Sequence, residues 1–242
     1  MIRSKVTIKE KTIIINHESA QKHVDSMKPA LSNMPIRNVI ERIIKINEGL
    51  RIFWSSSHGW APIKAAKLLS VSRLDWQVSL SRCLKLWIEK PSVQYHDGYL
   101  ILGWCNLGTL VEGTMKLFLS VYYETYRNDK EFQIIRQNKV QEPDALKFEM
   151  LRQYFKKRIW DASWDKWIRC IQKRRNAIHA YKNRAIGTHV EFVENIRSYL
   201  NLLRYINFRL PYPDDIYVPK ETEDHITIQT KIIIKNTDKS KK

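Results

Sequence analysis

Cysteine, glycine, proline and acid are all scarce in this chain. Its three cysteines, Cys83, Cys105 and Cys170, stand far apart along 242 residues. None belongs to a Cys-x-x-Cys pair or to a Cys/His spacing that suits zinc, so buried free thiols are expected rather than a disulfide framework or a metal site. Seven Gly and eight Pro are too few for a collagen-like or low-complexity chain. No Gly-rich phosphate loop, Ser/His/Asp elbow or HExxH occurs, which disfavours nucleotide hydrolysis and protease chemistry. No uninterrupted apolar run approaches the roughly 18 residues of a membrane span. The opening Met1-Ile2-Arg3-Ser4-Lys5-Val6-Thr7 has no apolar signal core. A soluble, cytoplasmic protein without a membrane partner is expected.

Aromatic residues and positive charge are abundant. Eight Trp, eleven Tyr and seven Phe, with 43% hydrophobic residues overall, exclude a disordered chain. The length suits one large domain or two small ones and can bury a core without disulfides. Forty-two Lys and Arg against twenty-five Asp and Glu leave a net charge of +17. From Lys166 to Arg184 there are seven basic residues and no acidic one: Lys166, Arg169, Lys173, Arg174, Arg175, Lys182 and Arg184. Such a surface attracts polyanions, with strong salt dependence.

The two ends echo each other. Thr7-Ile8-Lys9-Glu10-Lys11-Thr12-Ile13-Ile14-Ile15-Asn16 and Thr227-Ile228-Gln229-Thr230-Lys231-Ile232-Ile233-Ile234-Lys235-Asn236 are both rich in β-branched residues with partial alternation, a strand pattern. They are expected either as edge strands that pair within or between chains, or as unrelated extended tails. Residues 1–17 therefore read as an N-terminal extended segment, 18–215 as a helical domain, and 216–242 as a C-terminal extended segment and tail.

Between the ends the apolar spacing is helical. Ile36, Val39, Ile40, Ile43 and Ile44 follow a 3–4 pattern behind Asn33, a cap, and Pro35, a first-turn residue. Helical stretches follow from Pro62 to Leu69, from Leu74 to Trp87, and from Leu107 to Tyr122 after an Asp97-Gly98 turn signal. Residues 127–142 are polar and read as a loop. Ala145 to Ile159 is helical, Ser163 caps a helix over about 164–182, Gly187 breaks it, and Thr188 caps a last helix that ends before Pro211. The fold class predicted is all-α: a bundle of about five long helices with short strands at its ends. Ala61 to Leu84 superficially fits a DNA-reading helix-turn-helix, but the turn lacks its glycine and the second helix is largely apolar, so two packed bundle helices are preferred.

The most distinctive local sequence is Lys173-Arg174-Arg175-Asn176-Ala177-Ile178-His179. An imidazole exchanges protons near neutral pH, and a guanidinium holds a phosphate through paired hydrogen bonds. Together they supply what cleavage of RNA by its own 2′-hydroxyl requires, without a metal. On a regular helix Arg175 and His179 share a face, whereas Arg174 and His179 differ by roughly 140°. A solvated basic face beside a satisfied boundary histidine is the plainer alternative.

Arg174 to His179 resembles the Arg-x4-6-His signature of the HEPN superfamily, helical proteins that include metal-independent endoribonucleases of prokaryotic toxin–antitoxin and abortive-infection systems. The resemblance spans about six residues in motif and roughly residues 74 to 210 in architecture. It implies a HEPN-type bundle and a homodimer in which two Arg/His sets meet in one cleft. It further implies His179 as acid/base, Arg174 as phosphate ligand and Asn176 as an orienting residue, with no cofactor and no metal. Family members often carry Asn directly after the motif Arg. Here Arg175 intervenes, which leaves open whether Arg174 or Arg175 is the catalytic arginine. Glu112 is similar to an upstream polar residue used by some members, or is a plain surface glutamate. Lys173, Arg175, Tyr181, Lys182 and Arg184 are expected to contact RNA, Tyr181 by stacking on a base.

The function expected is therefore an antiviral-defence or toxin-type endoribonuclease with RNA as substrate, a cognate antitoxin and, as a further partner, a regulatory RNA. The alternative is a non-catalytic RNA- or DNA-binding protein, either an antitoxin or a ribonucleoprotein scaffold. A third reading is an interaction protein dimerised through its strand-like ends.

Overall fold

The computed structural model describes residues 10–179 and 181–222. The chain is all-α. Five of its described helices have fourteen residues or more: α1 (Glu10–Ser32), α2 (Ile36–Trp54), α5 (His96–Val121), α8 (Ala162–Arg175) and α9 (His189–Arg209). Shorter helices α3 (Ile63–Val71), α4 (Leu74–Cys83), α6 (Tyr123–Asn128) and α7 (Phe148–Arg158) fill the spaces between them. No helix among the described residues is long and apolar enough to cross a membrane.

α5 is the axis. Leu100, Trp104, Leu107, Leu110, Val111, Met115 and Phe118 are all nearly inaccessible, and a helix buried around most of its circumference belongs in a core. It packs against α3, α4, α7, α8 and α9, while α1 and α2 lie against α9. A buried hydroxyl fixes the central crossing: Tyr199 of α9 meets Thr114 of α5 at 3.1 Å, Gln77 of α4 at 3.2 Å and Asn47 of α2 at 3.5 Å. Burial pushes that phenol up to about 12, so it stays a neutral donor and acceptor at physiological pH. Near the C-terminal end of the described chain, Arg204 of α9 is almost fully buried and holds Glu221 at 2.5 and 2.9 Å, with Arg42 of α2 adding a third bond at 2.8 Å. Residues up to Glu221 thus stay docked on the helical body.

The N-terminal strand expectation is corrected from residue 10 onward. Thr12 to Asn16 lie in α1, because β-propensity is a preference for a pleated, half-buried surface and yields where the helix continues onto a packed partner, here α9. Residues 1–9 and the C-terminal strand pattern at 227–236 lie outside the described residues. The two strands among the described residues are elsewhere: β1 (Ile135–Arg136) and β2 (Lys139–Val140) form an antiparallel hairpin inside the expected loop. Its turn residues Gln137 and Asn138 have φ of 51° and 59°, the left-handed pair that a two-residue hairpin turn of this twist requires. The Asp97-Gly98 signal is also corrected: both residues sit in the first turn of α5, where Asp favours the helix N-terminus and an early Gly costs little.

Candidate functional site

α8 begins earlier than the serine suggests. The Asp161 carboxylate accepts from the N–H groups of Ser163 and Trp164 at 2.9 and 3.1 Å, so Asp161 is the cap in place of Ser163. Trp164, Ile168 and Ile171 bury one side at helical spacing, and Lys166, Arg169 and Lys173 stand exposed on the other.

The motif straddles a change of helix type. α8 ends at Arg175, and Asn176–His179 form a 3₁₀ turn, shorter than the expected run to 182. At three residues per turn, Arg175 and His179 separate by about 120° instead of sharing a face, while Asn176 and His179, three apart, eclipse. The same extra rotation carries Ile178 out to 40% exposure although Ile171, seven residues earlier, is fully buried. The structure therefore groups Asn176 with His179 and directs the two arginines elsewhere.

Those arginines reach different neighbours. Arg174 lies 4.6 Å over the Trp104 ring of α5 and bonds Glu191 of α9 at 3.0 Å, leaving 13% of its side chain accessible. Gly187, at φ +72°, leaves room for that guanidinium: a Cβ there would meet Arg174 Nη2 at 2.7 Å. Arg175 bonds Glu112 of α5 at 3.0 Å and keeps 29% accessibility. Its aliphatic stem crosses Gly108, where a Cβ would come within 2.8 Å of Arg175 Cβ and Cδ. Trp104, Gly108 and Glu112 are spaced by four along α5, one stripe over which the end of α8 passes.

Glu112 is not a plain surface glutamate. It is 14% accessible and shared between Arg175 and Lys116, the latter at 3.0 Å. The Glu191 carboxyl is held below the ordinary glutamate range, first by the Thr188 backbone N–H it accepts and then by Arg174. Thr188 and Glu191 make a reciprocal capping box, so the expected cap for α9 is present. Sequence reasoning did not find Trp104 and Glu191 as arginine partners; the Thr-x-x-Glu spacing was the available signal for Glu191, and nothing local marked Trp104.

The rest of the predicted set is solvent-facing. His179 is exposed, and its ring has no hydrogen-bond partner among the described residues, so it is not a satisfied core histidine. Lys173, Lys182 and Arg184 are exposed, Asn176 is half-buried, and Tyr181 is fully exposed. Tyr205 is core: its hydroxyl donates to the Ile159 carbonyl at 3.0 Å. The three cysteines are free and half-buried rather than buried. Among the described residues no three His, Cys, Asp or Glu side chains gather in a group fit for a metal ion. The Ala61–Leu84 region is two helices, α3 and α4, joined by Ser72 and Arg73; α3 packs on α5 and α6, and α4 on α2 and α5, with Leu74, Val78 and Ser81 turned inward.

No family model, no curated protein and no solved structure matches the chain.

Proposed function

We propose that this chain is a metal-independent endoribonuclease of the toxin or abortive-infection type, working as a homodimer. The ribose 2′-oxygen attacks the adjacent phosphorus as its P–O5′ bond breaks, leaving a 2′,3′-cyclic phosphate and a free 5′-hydroxyl. His179 takes the 2′-hydroxyl proton, and the second protomer's equivalent gives one to the departing 5′-oxygen. Asn176, eclipsed with His179 on the 3₁₀ turn, stands on the same side to orient the phosphate. Arg175 is the better phosphate ligand on exposure, and Arg174, packed on Trp104, braces the turn. The observation that carries this reading is an exposed imidazole, without a partner among the described residues, in a stretch where Lys166, Arg169, Lys173, Lys182 and Arg184 are all exposed and no carboxylate intervenes in sequence.

His179→Ala abolishes cleavage of a single-stranded RNA and leaves its binding intact. Cleavage undiminished in that variant would end the proposal.

One observation favours a second reading, a non-catalytic RNA-binding protein: both motif arginines already pair with carboxylates, Glu191 and Glu112. Under that reading the wild-type protein binds RNA without cutting it, His179→Ala changes nothing, and neutralising Lys173, Arg174 and Arg175 lowers the salt slope of binding.

A further inference from the structure

A second basic region lies away from α8. Lys64 and Lys67, three apart on α3, Arg127 at the end of α6, and Lys139 on β2 line one cleft of about 680 Å³. The side chains of all four are exposed, and none forms an ion pair or hydrogen bond with a described residue. Glu142 is the single carboxylate on the lining. Four cations from three elements, facing one space without internal partners, repel one another. A ligand with several negative charges relieves that repulsion.

The cleft has a neighbour of different character. A second cavity of about 360 Å³ shares Leu68, Val71 and Glu142 with it and runs on toward α5 past Leu74, Leu117 and Gln77. The cations here are already engaged: Arg73 with Asp75 at 2.6 Å and Lys116 with Glu112 at 3.0 Å. One compartment thus offers free positive charge and the next offers apolar surface with polar edges. The Gln137–Asn138 turn brings Asn138 and Lys139 to the rim.

We infer that this groove binds single-stranded RNA, with backbone phosphates on Lys64, Lys67, Arg127 and Lys139 and a base in the apolar compartment beside them. Inorganic polyphosphate would use the charged half only. A free nucleotide shares the chemistry of one strand unit; a strand differs from it in carrying several phosphates, which four cations spread over three elements can meet together. The inference rests on the RNA reading above and assigns binding to a surface distinct from the motif. Lys116 connects the two, since it lines the apolar compartment and shares Glu112 with Arg175.

The test is fluorescence anisotropy with a labelled single-stranded RNA of about 16 nucleotides, in a His179→Ala background so that no strand is cut. Lys64→Gln, Lys67→Gln, Arg127→Gln and Lys139→Gln together weaken binding at least about tenfold at ~150 mM salt, and the slope of log K against log salt shrinks by about 0.7 for each phosphate no longer neutralised. Lys139→Glu alone gives a smaller loss in the same direction and serves if the fourfold variant does not fold. Unchanged affinity and slope in both variants would overturn the groove while leaving the RNA reading in place. No RNA binding by the parent protein at any salt would end both. Tighter binding of ATP than of the strand would replace RNA by a free nucleotide and overturn the inference.

Discussion

The two motif arginines at the end of α8 and the basic side chains of the groove under the β1–β2 hairpin carry charge in opposite states. At α8 the two motif arginines are committed: Arg174 to Glu191 and Trp104, Arg175 to Glu112 and the stripe over Gly108. In the groove, Lys64, Lys67, Arg127 and Lys139 have no partner among the described residues. Charge counted along a sequence is therefore not charge available to a ligand. Paired arginines hold a geometry, which suits groups that must act on a phosphate at a fixed place. Unpaired lysines hold little geometry and supply attraction, which suits capture of a backbone irrespective of sequence.

Perturbing each region tests this division. The largest effect is expected at Gly108. Gly108→Val drives a branched side chain into the Arg175 stem, where even a Cβ would lie 2.8 Å away, and costs about 3 kcal/mol of stability by overpacking. Cleavage should fall with it while RNA affinity persists in the fraction that stays folded, measured by chemical denaturation and anisotropy on the same preparation.

Next is Glu112→Gln, which leaves Arg175 and Lys116 facing a neutral amide. A cost of about 1–2 kcal/mol is expected, discounted for the partial exposure of Arg175. A double-mutant cycle with Arg175→Gln should return most of it as coupling.

Acid provides a third probe. Because Glu191 sits below its ordinary range in the folded chain, its contribution is complete above that range and is lost as pH falls through the lowered value. Thermal midpoints followed into that acid window should drop further for the wild type than for Glu191→Gln. Equal losses would mean that the Thr188 box and Arg174 do not hold the carboxylate.

The smallest effect should come from the groove. Lys64→Gln with Lys67→Gln is expected to change stability by no more than about 0.5 kcal/mol, and toward greater stability, because two unpaired like charges are removed. A loss of several degrees in melting temperature would show that these lysines are structurally engaged and would erase the contrast with α8.

How far these regions could be read from sequence follows from where their information lies. The start of α9 was legible because Gly187, Thr188 and Glu191 encode a break, a cap and its reciprocal partner within five residues. The all-α character was legible from spacing, and so were the helix that begins at Leu74 and the end of α9 before Pro211. α1 was not: Ile13-Ile14-Ile15 carries a strand preference, whereas the helix that includes them packs on α9, an element almost two hundred residues away. The motif's residue types were visible, as was Glu112, but the 3₁₀ turn that parts Arg175 from His179 and pairs Asn176 with it has no local signature. The groove was illegible for a simpler reason. Its cations come from positions 64, 67, 127 and 139, and only the first two are neighbours in sequence.

Under this division, unpaired cations capture the strand and paired ones serve the chemistry. Its most direct test is the salt slope of RNA binding, compared between Arg174→Gln/Arg175→Gln and the fourfold groove variant in the same His179→Ala background. The arginine variant should lose no more than the one phosphate held by Arg175, about 0.7 in slope, and the groove variant clearly more. A flatter slope in the arginine variant, with the groove variant unchanged, would contradict it.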